Sequence, residues 1–268
     1  MVGMSDKLYT STDSGATWSA PTSPVATSTG WTGCGSDDRG SKMFAHMYGA
    51  DVYMSTNNGV SWTALAGSSG YFRRFFVSRS GTLLMGSSYG GVKISFDSGS
   101  TWSNIGGASV SSVDCRGVAG SDDGTKLFFG GDGTTVYRSI DSGATFSIVG
   151  TAPSGLRWDA LHCSANGQYL LLGSSSSSSK YRSSDFGATW SQFTISGSGN
   201  TEGVRVSSDG ATMLVNAGPL YISRNYGVTW TSTDSSGNYL DGPMGVNSNG
   251  TVFVGSKGYD GVWTSGAA

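Results

Sequence analysis

"STDSGATWS" at residues 11–19 is a polar turn closed by a tryptophan, and nearly the same phrase returns five times. The copies are STNNGVSWT from Ser55, SFDSGSTWS from Ser95, SIDSGATFS from Ser139, SSDFGATWS from Ser183 and SRNYGVTWT from Ser223. Their acidic or amide position falls at Asp13, Asn57, Asp97, Asp141, Asp185 and Asn225, at intervals of 44, 40, 44, 44 and 40 residues. A period in the low forties is the sequence signature of a propeller blade. Between phrases the text also repeats. In the sixth copy it reads GVRVSSDG, ATMLVNAG, PLYISRNYG and VTWTS, four short strands separated by Gly-rich turns.

The phrase falls on the turn between third and fourth strands. There the Asp or Asn side chain can accept hydrogen bonds from backbone amides of the turn. Gly15, Gly59, Gly99, Gly143, Gly187 and Gly227 supply a conformation that a Cβ resists. Trp18, Trp62, Trp102, Phe146, Trp190 and Trp230 are expected to wedge into the sheet. Asn at two of six copies argues for a structural role, because acid chemistry needs the carboxylate.

The pattern S-x-D-x-G-x-T-W resembles the Asp-box, or bacterial neuraminidase repeat, of sialidases, xyloglucanases, Vps10-type sorting receptors and photosystem II assembly factors. The resemblance covers essentially the whole chain. It implies a β-propeller with peripheral boxes and says little about activity, since one fold hosts many functions.

First strands occur six times, ending at Ser36, Ser78, Ser121, Ser164, Ser207 and Asn247. Fourth strands also occur six times, but third strands seven times, because VWTSG from Val262 matches LYTST from Leu8. The expectation is an all-β, six-bladed propeller of four-stranded antiparallel blades. It forms a single domain over 1–268, with the ring closed by strands from both termini. The alternative is seven blades with incomplete terminal ones.

Composition agrees with short strands: of 268 residues 43 are glycine and five proline, with 12% aromatic and 13% charged. A formal charge of −2 gives no basic face for nucleic acid or an anionic membrane. The apolar runs are strand-sized, so no membrane insertion is expected, and MVGMSDKLYT lacks a signal-peptide layout. Cys34, Cys115 and Cys163 read as small buried hydrophobes. With only His46 and His162 beside them, neither a metal site nor a cofactor is expected. SSSSSS at Ser174–Ser179 reads as a solvated loop. The Ser/Thr/Gly-rich, lysine-poor composition favours an extracellular or particle-associated setting.

Aligned on their turn residue, the first strands place Trp31, Arg73, Arg116, Asp159, Glu202 and Gly242 at one position. Arg74, Trp158 and Asp241 lie within one residue of it, Asp114 slightly upstream, and Arg205 and His162 two residues before the turn. Inner strands are a poor place for charge unless it is paired or wet. Two readings follow. In one, Arg–carboxylate pairs hold adjacent strands around a hydrated channel. In the other, Arg73 and Arg116 grip an anionic or hydroxyl-rich ligand through their planar forks, with Trp31 and Trp158 as stacking faces.

The expected function is a non-enzymatic binding or recognition propeller for a glycan or protein at the channel mouth, most simply as a monomer. A glycosidase needs two carboxyl groups flanking the bond, and Asp159 with Glu202 is the pair the sequence offers. The sialidase resemblance would also imply three substrate arginines, a Tyr–Glu nucleophile pair and an early Phe/Tyr-Arg-Ile-Pro motif. YFRRFF from Tyr71 lacks the Ile-Pro, so the reading leans against catalysis. A purely structural repeat, or a fragment of a longer array, is the third alternative.

Overall fold

The computed structural model describes residues 2–3, 8–13, 16–21, 31–47, 49–68, 70, 72–88, 90–105, 114–133, 135–149, 154–233, 244–251, 253–256 and 262–265. These residues are all strand and turn, with no helix among them. Two compact units form, Met1–Val118 and Ala119–Ala268.

In the first unit β1 (Val2–Gly3) pairs with β2 (Leu8–Tyr9). Two four-stranded sheets follow. One comprises β3 (Trp31–Ser36), β4 (Met43–Met47), β5 (Val52–Ser55) and β6 (Thr63–Ala64). The other comprises β7 (Arg74–Val77), β8 (Leu84–Ser88), β9 (Gly91–Ser95) and β10 (Ser103–Asn104).

Three more four-stranded sheets follow, the first opening with a strand that crosses the boundary at Val118 and the rest lying in the second unit. They are β11 (Cys115–Gly120), β12 (Leu127–Gly131), β13 (Val136–Ser139) and β14 (Ser147–Ile148); β15 (Trp158–Cys163), β16 (Leu170–Ser174), β17 (Lys180–Ser183) and β18 (Ser191–Phe193); and β19 (Gly203–Val206), β20 (Met213–Asn216), β21 (Leu220–Ser223) and β22 (Thr231–Ser232). A three-stranded sheet of β23 (Met244–Val246), β24 (Phe253–Ser256) and β25 (Val262–Ser265) completes the second unit. Strands pair antiparallel with their sequence neighbours.

Five complete sheets are therefore described, where the repeat led to an expectation of six. β1 and β2 pair with each other, while β24 and β25 extend β23, so the duplicated strands build two partial sheets.

Second strands sit mid-sheet and are buried on both faces, as in Leu127–Phe129, Leu170–Leu172 and Met213–Val215. That is why they read as continuous apolar runs instead of alternating ones. Fourth strands of two or three residues lie at the edge with mostly exposed side chains, which leaves little ladder for another chain to extend.

The repeated turn is fastened the same way in all six copies. The Asp or Asn Oδ1 accepts the backbone amide four residues on, at 2.8–3.0 Å. It also accepts the hydroxyl of the serine two residues before it. From the second copy on, that serine oxygen accepts the glycine amide. Where the residue is Asp, Oδ2 accepts the threonine hydroxyl, at 2.6 Å in Asp97, Asp141 and Asp185. Where it is Asn, the amide donates instead, Asn57 Nδ2 to Ser61 Oγ and Asn225 Nδ2 to Thr229 Oγ1, both at 2.8 Å. A hydroxyl both donates and accepts, so the bond survives with its direction reversed.

Two consecutive residues of this turn are left-handed. Asn58, Ser98, Ser142, Phe186 and Tyr226 all have φ near 59°, and each precedes a glycine that is also left-handed. Phe186 and Tyr226 hold a conformation that bulky residues avoid, and each ring packs on a neighbouring side chain. The Lys126 ammonium sits 5.3 Å over the Phe186 ring, and Tyr226 lies 4.7 Å from Tyr169. At Gly99, itself left-handed, a Cβ would fall 2.4 Å from Leu65 Cδ1, so that side chain would have to shift to admit one. Trp62 and Trp190 wedge into the sheet as expected, whereas Trp18, after the two-stranded ladder, is 42% exposed.

Neighbouring sheets within a unit are stapled. Arg138 donates to the Phe186 carbonyl at 3.3 Å and Arg182 to the equivalent Tyr226 carbonyl at 3.2 Å. At the first-to-second strand turns the backbone does the same work: Asp122 N donates to Ala165 O, Ala165 N to Ser208 O, and Ser208 N to Ser248 O, at 2.7–3.0 Å.

Candidate functional site

The starting ends of first strands carry a charged cluster in each unit. In the first, Asp114 stands between two arginines, 2.6 Å from Arg116 and 3.4 Å from Arg73. Arg116 is nearly buried at 7% exposure, while Arg73 and Asp114 each keep 21%. Arg74 is exposed and donates to the Arg73 carbonyl at 3.2 Å. Asp114 and Arg116 are two apart along an extended strand, so their side chains fall on one face.

In the second unit the same spacing recurs with the charges exchanged. Arg157 Nε approaches Asp159 at 3.2 Å, and Asp159 also accepts the Ser175 hydroxyl. Glu202 is exposed, its amide donating to Asn216 O at 2.8 Å. Ser175 belongs to the serine run, which is tied down and not a loose loop. Asn200 Nδ2 donates to Ser175 O, Thr201 N to Ser174 O, and Lys180 Nζ to Ser178 O, Ser198 Oγ and Gly199 O, all at 2.8–3.0 Å. Lys180 is 1% exposed, and burial lowers its pKa.

Both tryptophans expected to stack on a ligand are buried. Trp158 has no exposed surface and meets Tyr181 edge-on at 5.7 Å, so it fills the sheet core. Trp31 is 5% exposed and meets Tyr53 edge-on at 5.8 Å. Each opens its first strand next to a β-bulge, which turns the ring inward. Arg205 does not join Glu202: it lies toward the opposite end of β19, opposite Leu214, beside His162. Asp241 lies outside the described residues.

His162 and His46 are neutral, burial holding each at about 3, with Arg205 and Arg74 respectively adding repulsion. The His162 Nδ1 accepts the Val206 amide at 3.2 Å. Burial, helped by Asp114, pushes the Cys115 thiol up to about 12, which leaves it protonated. Among the described residues no three His, Cys, Asp or Glu side chains cluster to hold a metal ion.

Three solved structures superpose on this chain. An ancestral GH74 enzyme matches with TM-score 0.70 at 15% identity, over 88% of this chain and 36% of its own. The GH74 xyloglucanase from Xanthomonas campestris matches with TM-score 0.69 at 16% identity, over 88% of this chain and 45% of its own. YCF48 bound to D1 peptide matches with TM-score 0.70 at 15% identity, over 96% of this chain and 86% of its own. The fold is a β-propeller.

The propeller spans less than half of either GH74 structure. No protein-family model and no curated protein matches its sequence. Asp114–Arg116 and Arg157–Asp159 stand at the starting ends of the first strands of their sheets. The sequence singled out Arg116 and Asp159 but passed over Arg157, Ser175 and Asn200. The i, i+2 opposite-charge spacing was the signal for Arg157; the serine and asparagine carried none.

Proposed function

We propose that this chain is a non-enzymatic binding propeller, one domain over 1–268, that takes an acidic glycan or protein ligand at the starting ends of its inner strands. The sheets described above are read as its blades and the repeated turns as its Asp-boxes. The observation that carries the reading is the Arg73–Asp114–Arg116 cluster with Arg74 beside it. Arg73, Arg74 and Arg116 bring three guanidinium groups to one partly exposed surface, and their planar forks suit carboxylate recognition. Asp159, the better-placed of the two nominated catalytic carboxylates, is instead committed to Arg157 and Ser175. YCF48, similar in length, is a propeller seen with a bound peptide, which supports a binding role for a ring of this size.

The test is a pair of arrays, acidic glycans and acidic peptides, probed with wild type, Arg73→Ala and Arg74→Ala. Binding by wild type that falls in both variants is expected; blank arrays, or equal binding by all three, overturn the reading. Incubation with xyloglucan supplies the enzymatic arm. Sugar release by wild type that disappears in Asp159→Asn and Glu202→Gln would establish a glycosidase instead.

A further inference from the structure

Neighbouring sheets within a unit also meet at a side-chain clasp near the first-to-second strand turns. The residue whose carbonyl closes that turn is Lys42, Lys126 or Tyr169 in three of the sheets. Each reaches the left-handed residue of the repeated turn in the next sheet, respectively Ser98, Phe186 and Tyr226. Lys42 Nζ donates to Ser98 Oγ at 2.9 Å, so an ammonium and a hydroxyl are enough to make the clasp. At Phe186 the Lys126 ammonium covers the ring. At Tyr226 the partner is a second ring, Tyr169, with centroids 4.7 Å apart and planes tilted by 37°. Tyr226 keeps 43% of its surface exposed. It therefore holds a bulky ring in a conformation that Ser98 and Ser142 adopt in other copies, with an aromatic surface that the clasp itself does not need. Bulky side chains kept in such a conformation point to function.

Two charged groups are fixed at the same place. The Tyr226 amide donates to Ala211 O at 3.1 Å, and the Ala211 amide donates to Asp209 Oδ1 at 2.9 Å. A Cβ on Gly210, between them, would collide with the Tyr169 ring. The turn Asp209–Ala211 thus sets its carboxylate beside both tyrosines. The Ser207 hydroxyl and the Ala211 amide hold Asp209 below the usual carboxylate range, and an ionised carboxylate has acceptor sites beyond those two bonds. Arg182 Nη1 donates to the Tyr226 carbonyl at 3.2 Å, using one of the five donors of a guanidinium. An anionic ligand would meet Asp209 and a cationic one Arg182, whereas hydroxyls donate to the first and accept from the second. A pyranose ring adds a face of C–H bonds, which packs on the negative face of an aromatic ring. We propose that the Tyr169–Tyr226 pair binds a neutral hexopyranose, its C–H face on the tyrosine rings and its hydroxyls at Asp209 and Arg182. This site is independent of the one proposed at the starting ends of the first strands.

Methyl β-galactopyranoside and methyl β-glucopyranoside are the probes, titrated against the full chain and followed by saturation-transfer NMR. Wild type binds at least one of them at a single saturable site, with transfer greatest to the C–H protons of one sugar face. Tyr226→Ser, which matches Ser98 and Ser142, melts no lower than wild type and weakens the sugar by about tenfold or more, the loss of an aromatic face. Tyr226→Phe keeps the ring and keeps the binding. Asp209→Ser matches Ser80, whose hydroxyl oxygen accepts the Thr82 amide in the equivalent turn; it folds and weakens the sugar by about tenfold, the scale of a hydrogen bond to a charged group. Tyr226→Ser gives the same acidic-glycan and acidic-peptide arrays as wild type, so failure of one site is read apart from failure of the other. Absence of saturable binding of both sugars at millimolar concentration, or equal binding by wild type and Tyr226→Ser, overturns the proposal. Binding of hexaproline at Tyr226 in place of either sugar overturns it too, since the rings would then serve a peptide.

Discussion

Thr189 is tied to Asp185 twice, its amide donating to Oδ1 at 2.9 Å and its hydroxyl to Oδ2 at 2.6 Å. The same pair of bonds exists at Asn225 with the second one reversed. Asp185→Asn therefore keeps both bonds and leaves the melting temperature nearly unchanged. Asp185→Ala removes them, as loss of a capping side chain does, and lowers it by about 3 °C. Thermal melts followed by circular dichroism compare the two. An equal loss in both would show that the carboxylate charge, and not the bond geometry, holds the turn.

Acid should unfold the protein in two stages. The folded-state pKa of His46 and His162 is lowered from 6.5 to about 3, so the unfolded chain binds more protons across that range. Their contribution to stability is complete above pH 6.5 and is lost as pH falls toward 3. Asp13, Asp97 and Asp141 are held at about 2 chiefly by threonine hydroxyls in their turns. Their contribution is complete above the ordinary carboxyl value of 3.8 and disappears as pH falls through 2. Urea melts across pH should show both slopes, and the lower one should flatten in an Asp97→Asn, Asp141→Asn double variant.

Gly33 and Gly245 occupy inner strands but should respond oppositely to alanine. A Cβ at Gly33 falls 2.4 Å from His46 Nε2, a buried ring packed against Phe72 and Phe75. Overpacking of this kind costs about 1–3 kcal/mol, and Gly33→Ala should lower the urea midpoint accordingly. Gly245→Ala has open space and should leave it unchanged.

Lys180→Met removes the ammonium and keeps the side-chain length. The Ser178 and Gly199 carbonyls then lose a donor that the buried site does not replace, at a cost of about 1–3 kcal/mol. Hydrogen exchange should quicken at residues 174–201, where the serine run is tied to its neighbours, and not across β20. Uniform acceleration over the whole chain would count against a local role.

The architecture was legible because the repeat is written in side chains. Asp97, Gly99 and Trp102 each perform a separate local task, so their spacing alone located the turn and counted the strands. The terminal sheets were less legible: matching LYTST to VWTSG shows that both are third strands, but strand pairing decides whether they share a sheet. The charged residues at the strand starts were found by alignment, yet their roles depended on depth. Trp158 and Trp31 carry the same residue type expected of a stacking face, and the bulges beside them turned both inward. Arg205, two residues before the turn, and Glu202, five before it, share one first strand, and three residues along a strand are enough to move a side chain toward the other end of the sheet. The left-handed conformation of Phe186 and Tyr226 left no trace in composition, since neither residue type prefers it.

The links from Asp122 through Ala165 and Ser208 to Ser248 are made by the main chain alone. Four different environments are thus joined by groups that mutation cannot delete, short of introducing proline. The side chains at these turns act inside their own turn instead: the Ser121, Ser164 and Ser207 hydroxyl oxygens each accept the amide five residues on, at 2.9–3.0 Å. Within the second unit the order of neighbouring sheets is therefore written in the backbone, and a side-chain change that spares the turn's own hydrogen bonds leaves that order in place.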